Sequence, residues 1–161
     1  MIEAERWAKY LFKKYPEADE EVVLLSVWLH DLGYYPIPTK IDQAVRSEER
    51  AKNFLEKENY SKEKIKKVFH CVRSHRSRDI IPDSLETKII ARIDSTSHMT
   101  TSMYFDMAEE DKTSKKEFRV YAKMNRDYQD LNSFPEIKKE LTGIYKAWQE
   151  LIKNYEKIEL E

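Results

Sequence analysis

The stretch Val22-Val23-Leu24-Leu25-Ser26-Val27-Trp28-Leu29 is apolar all round a helical projection and runs directly into His30 and Asp31. A helix without a polar face is stable in water only when its neighbours cover it, so the rest of the chain must form a layer around this segment. Asp19 is a suitable N-cap, and Glu20 and Glu21 stand in the first turn, where the helix dipole favours negative charge. At the far end Gly33 offers a left-handed C-cap position, and Pro36 and Pro38 keep the next stretch extended. The segment reads as the buried central helix of the fold.

The other helical segments have one apolar stripe each. Ile2 to Tyr15 aligns Ala4, Trp7, Ala8, Leu11 and Phe12 and stops before Pro16. A third helix over Ile41 to Glu58 buries Ala44, Ala51, Phe54 and Leu55. A fourth, capped by Ser61, carries Ile65, Val68, Phe69 and Val72 and ends in Arg73-Ser74-His75-Arg76. Pro82 and Asp83 open a fifth, with Asp83-x-x-Glu86 in the pattern of a capping box and Leu85, Ile89, Ile90, Ile93 and Asp94 along it. Helices near Asp111 to Tyr128 and Ser133 to Tyr155 complete the chain, the last opened by Ser133-x-x-Glu136 with Pro135 in its first turn. The aromatic series Tyr104, Phe105, Tyr121, Tyr128, Trp148 and Tyr155 packs these later helices against the core.

Only 2 of 161 residues are glycine and 5 are proline, while 37% are charged, which disfavours turn-rich sheet folds and glycine-rich phosphate loops. The expected architecture is all-α, a bundle of about six to seven helices forming a single domain over 1–161, with its motif-bearing core over about 1–100. With 29 basic and 30 acidic side chains the net charge is -1, so no global field draws the protein to nucleic acid or to an anionic membrane. Any polyanion site must be local, and a nucleic-acid partner is disfavoured. The lone Cys71 cannot form an internal disulfide and reads as a small buried apolar group. The N-terminus is acidic and mixed, and no apolar run approaches the ~20 residues of a membrane helix. A cytoplasmic protein without a membrane partner is expected, with homodimerisation open.

His30 and Asp31 end an apolar helix, where a carboxylate is poorly solvated unless something positive neutralises it. A divalent cation is one such partner, and the negative end of the helix dipole favours it there. The alternative is that the pair caps the helix and bonds to the following loop. Asp94 lies on the stripe of Ile90 and Ile93 and also needs a partner, either an ion or an ordinary donor. One imidazole and two carboxylates suit Mn, Fe, Co, Ni, Zn or Mg.

The run Val23-Leu24-Leu25-Ser26-Val27-Trp28-Leu29-His30-Asp31-Leu32-Gly33 resembles the HD superfamily of metal-dependent phosphohydrolases. The likeness continues in Ser47-x-x-x-Ala51, Val72-Arg73-Ser74-His75 and Ile89-Ile90-Ala91-Arg92-Ile93-Asp94, in order, over roughly residues 1 to 100. It implies an all-α fold, a bound divalent ion and hydrolysis of a small phosphorylated, nucleotide-like substrate. It also implies that His30, Asp31 and Asp94 are three of four ligands to one metal. The fourth, a first-helix His, is missing: aligning Arg6-Trp7-Ala8 places it at Glu3 or ahead of Met1. Either an upstream start supplies it, or Glu3 or water replaces it, and the metal is then held more weakly.

Some binuclear relatives place a further His where this chain has Gln43, a poor ligand, so one metal is favoured over two. His75 is placed to serve a second ion if there is one, and otherwise it and Arg76 suit a substrate phosphate. Asp31 is the candidate proton acceptor, with His75, Arg76 and Arg46 as the catalytic groups that stabilise negative charge. Arg73 and Arg78 add local positive charge or pair with neighbouring Glu. His98, one turn after Asp94, is a weaker site candidate, His70 reads as a packed or surface histidine, and Tyr34 and Tyr35 line the pocket mouth or pack. The competing reading is a degenerate HD-like domain that binds a nucleotide or protein partner without hydrolysis.

Overall fold

Helix supplies the regular structure, as the period of the apolar residues requires. The computed structural model of the chain describes residues 2–34, 40–76, 80–113 and 118–159. Among them lie α1 (Ile2–Lys14), α2 (Glu20–Leu29), α3 (Gln43–Lys57), α4 (Lys62–Ser74), α5 (Leu85–Met99), α6 (Met103–Thr113), α7 (Arg119–Asp130) and α8 (Pro135–Glu156), with 3-10 turns at Leu32–Tyr34 and Leu131–Ser133. Among the described residues the helices number eight rather than six or seven, because the segment from Asp111 to Tyr128 belongs to two of them, α6 and α7. Pro36, Pro38, Tyr35 and Arg78 fall outside the described residues. None of the described helices is long and apolar enough to cross a membrane.

The chain divides into two compact units, Met1–Asp94 and Ser95–Glu161, with the boundary inside α5. In the first, α2 packs on α1, α3 and α4, and α3 packs on α4 and on the Leu32–Tyr34 turn. Ala4, Ala8, Leu11 and Phe12 of α1, Val22, Val23 and Val27 of α2, and Ile89, Ile90 and Ile93 of α5 are buried, as is Cys71. The all-round burial expected of α2 holds for most of its surface, but Trp28 is 50% exposed. Phe54, expected in the core, also faces solvent. In the second unit α6, α7 and α8 pack on one another. Tyr104 is buried edge-on to Trp148 at 5.8 Å, Phe105 meets Tyr155, and Tyr128 stacks on Tyr145 at 4.0 Å.

Several local signals resolve as anticipated, and three do not. Asp19 caps α2 by accepting from the Val22 amide, and Ser61 caps α4 by accepting from Lys64. The fifth helix is capped one residue later than expected: Ser84 Oγ accepts from the Thr87 amide, while Asp83 binds His70 at 2.7 Å and Glu86 accepts from the Asp19 amide. The N-cap of α8 is Phe134, not Ser133, because the preceding residues close a 3-10 turn. Gly33 is not left-handed; the described residue with positive φ is Asn59, at 59°. There Asn59 and Tyr60 donate to the carbonyls of Glu56 and Leu55, closing α3 as a Schellman motif with Asn in the usual Gly place.

Asp19 joins two structural tasks, since its carboxylate caps α2 and also takes Lys64 Nζ at 3.2 Å. Burial works against its charged form, but the Val22 amide and Lys64 outweigh this and hold its pKa below the ordinary value of 3.8. A carboxyl depressed in the folded state contributes stability above its unfolded pKa and loses it as pH falls through the folded one. Asp19→Ala is therefore expected to cost about 1–2 kcal/mol in urea unfolding at pH 7, with the gap to wild type narrowing below about pH 4. An equal gap at pH 7 and pH 3 would show that the charge contributes nothing.

Candidate functional site

Two helices of the first unit end in histidine, and the same local bond sets both rings. His30 follows the last turn of α2, and its Nδ1 lies 2.8 Å from the Val27 carbonyl oxygen. His75 follows the last turn of α4, with its Nδ1 2.6 Å from the Val72 carbonyl oxygen. A carbonyl only accepts, so Nδ1 must carry a proton in each ring, which leaves Nε2 as the ligand atom. Both rings are buried and meet edge to face, with centroids 5.0 Å apart.

Two carboxylates approach the His30 ring. His30 Nε2 lies 3.3 Å from Asp31 Oδ2 and 3.6 Å from Asp94 Oδ1. His30, Asp31 and His75 each offer a ligand atom within 4.8 Å of the others. Asp94 thus reaches His30 from α5, while His75 enters from α4. Burial opposes a charged His30, but the carboxylates of Asp94 and Asp31 outweigh it and push its pKa up to about 8. Burial and the neighbouring His30 drive His75 the other way, below its ordinary value. His30, Asp31 and His75 form a donor set that fits a divalent cation, and Asp94 stands beside it, 3.6 Å from His30 Nε2.

Gln43, at the start of α3, holds the site from below. Its Nε2 lies 2.9 Å from the His30 carbonyl oxygen, 3.0 Å from Asp31 Oδ1 and 3.0 Å from Ser47 Oγ. Its Oε1 accepts from Arg76 Nη1 at 3.2 Å, and Arg76 also faces Asp42 at 3.5 Å. Gly33 gives the reason α3 can come so close: its amide donates to Ser47 Oγ at 2.8 Å. A Cβ on Gly33 would meet the Gln43 carbonyl oxygen at 2.2 Å and the Ser47 nitrogen at 2.6 Å. The residue is glycine for want of space, not for a left-handed backbone.

The model of the HD domain family matches residues 1–99. The chain belongs to the HD domain family. This is the superfamily of metal-dependent phosphohydrolases, whose domains bind divalent metals and are generally hydrolases. The match covers the helices that carry His30, Asp31, His75 and Asp94. No curated protein and no solved structure matches the chain.

The remaining candidates of this HD domain lie as follows. Glu3, on α1, forms an ion pair with Arg6 at 2.9 Å. Arg46 is half-buried on α3, one turn after Gln43. Arg73 pairs with Glu48 at 3.4 Å, the ordinary fate of an arginine on a charged helix. His70 is engaged by Asp83 near the surface. In the second unit, His98 Nδ1 lies 3.1 Å from Asp127 Oδ2, a buried carboxylate that also takes Tyr104 OH and Lys123 Nζ, each at 2.8 Å. Tyr34 is half exposed. Sequence reasoning treated Gln43 only as a poor ligand and overlooked its contacts to both halves of the His30-Asp31 pair. The available signal was Gln43 and Ser47 one helical turn apart, directly after the His-Asp motif.

Proposed function

We propose that the protein hydrolyses a small phosphorylated, nucleotide-like compound at a centre in which His30, Asp31, His75 and Asp94 hold one divalent cation. The supporting observation is the convergence of His30, Asp31 and His75 within 4.8 Å, with both rings oriented by backbone carbonyls. When bound, such a cation supplies Lewis acidity, lowering the pKa of water toward ~7 and polarising a phosphoryl oxygen. Asp31 is the more exposed of the two carboxylates and is the group placed to take the proton of the attacking water. Arg76, which meets the Gln43 amide oxygen and, at 3.5 Å, Asp42, offers its guanidinium to the charge that develops on phosphate. Arg46 is the second candidate for that task. His75 is better used as a ligand than as a phosphate contact, because it is 3% exposed and its Nδ1 is already committed.

The test is phosphate release from a panel of nucleotides and sugar phosphates after chelation and reloading with Mn, Co, Ni or Mg. Metal-dependent turnover in wild type that vanishes in Asp31→Ala supports hydrolysis; equal background in both refutes it. The second reading, binding without hydrolysis, draws on Glu3, one of the two places the resemblance allows for the fourth ligand, which is paired with Arg6. A protein that shows nucleotide-induced thermal stabilisation but releases no phosphate with any of the metals supports that reading instead.

A further inference from the structure

We propose that Gln43 is a positioning residue for this centre, its amide fixing the Asp31 carboxylate for the cation while seating Arg76 beside it. The proposal rests on the metal-centre reading above. The side chain is buried and makes four polar contacts, those to Asp31 and Arg76 at the partly exposed edge of the site. Its orientation is set by chemistry on both sides. Turning the amide over would put Oε1 against the His30 carbonyl oxygen and Asp31 Oδ1, acceptor facing acceptor, and would put the amino group against Arg76, donor facing donor.

With the amide as it stands, Asp31 Oδ1 is occupied by an N–H, and Oδ2 is the oxygen directed at His30 Nε2. One residue therefore decides which carboxylate oxygen faces the other ligands. The same amino group also lies 2.9 Å from the His30 carbonyl oxygen at the end of α2, where intrahelical donors have run out. Ser47 Oγ, one turn along α3, is held from the other side by the Gly33 amide, so Gln43 hangs from a backbone that cannot drift from the motif. Arg76 meets a neutral amide oxygen, so its bond to Gln43 leaves the negative charge of Asp31 for a cation. Outer groups of this kind orient ligands and are commonly worth 10–100-fold in metal affinity.

The experiment compares the full-length wild type with Gln43→Met, which fills the same space without a donor or acceptor, and with Gln43→Leu should the first variant not fold. Mn2+ affinity is measured by calorimetry, and the visible spectrum of the Co2+-loaded protein reports ligand geometry. The expected result is Mn2+ binding about 10–100-fold weaker, with a shifted Co2+ spectrum and a metal-free unfolding temperature close to wild type. Wild-type affinity with an unchanged spectrum overturns the Gln43 proposal and leaves the metal centre standing. A weaker affinity that merely tracks lost thermal stability, with the spectrum unchanged, also overturns it, because the residue is then only structural. Absence of Mn2+ and Co2+ uptake by wild type overturns both readings together.

Discussion

His75→Ala is expected to weaken divalent-cation binding by about 100-fold or more, a larger loss than the 10–100-fold typical of outer-shell partners. The argument is geometric. His75 contributes one of three ligand atoms that lie within 4.8 Å of each other, and its ring is locked by the Val72 carbonyl with Nε2 left over. The alternative role, a contact to substrate phosphate, makes a different forecast: cation affinity stays near wild type and only KM rises. Calorimetry with Mn2+ on purified His75→Ala therefore separates the two roles before any substrate is known. Retention of wild-type affinity would remove His75 from the centre and return it to the phosphate.

The two glycines of the chain are expected to respond to alanine with opposite signs. At Gly33 the new methyl would collide with the Gln43 carbonyl oxygen at 2.2 Å and the Ser47 nitrogen at 2.6 Å. Both are backbone atoms at the start of α3, so no rotamer change relieves the overlap and the helix must shift. Overpacking commonly costs 1–3 kcal/mol, and a clash with backbone belongs at the top of that range, so about 3 kcal/mol is expected for Gly33→Ala. For a chain of this size that is a fall of roughly 6–12 °C in unfolding temperature. Gly143 sits within α8, where an added Cβ meets nothing within 4 Å. Gly143→Ala is expected to stabilise by about 0.5–1 kcal/mol, since the helix interior penalises glycine. Urea unfolding of both variants decides the matter, and a harmless Gly33→Ala would mean that α3 does not approach the motif this closely.

The motif residues were legible because their chemistry conflicts with their surroundings. A His-Asp pair closing an apolar helix and an Asp on an isoleucine stripe each demand a compensating partner, and that demand is visible without coordinates. His30 Nε2 and Asp94 Oδ1 lie 3.6 Å apart. Gly33 was marked as special for the wrong reason: a glycine after a helix suggests a left-handed cap, but close approach selects the same residue. Apolar patterns point Trp28 and Phe54 toward the core, yet both are exposed, because a pattern gives the direction of a face and not the extent of its cover. The capping pattern at Asp83 failed because Ser84, the next residue, is an equally good cap, and Asp83 had His70 as a competing partner.

By itself the sequence determined that the chain is helical and where most of its helices begin, and it pointed to His30, Asp31 and Asp94 as groups in need of a partner, although Asp31 is 45% exposed. These follow from periodicity, capping and the cost of burying ions, which act within one helix at a time. Only the tertiary structure decided that His75 stands with His30 and Asp31 and that Gln43 bridges that pair to Arg76. Those pairings join residues far apart in the chain, and which of several chemically acceptable partners each group takes depends on how the helices pack.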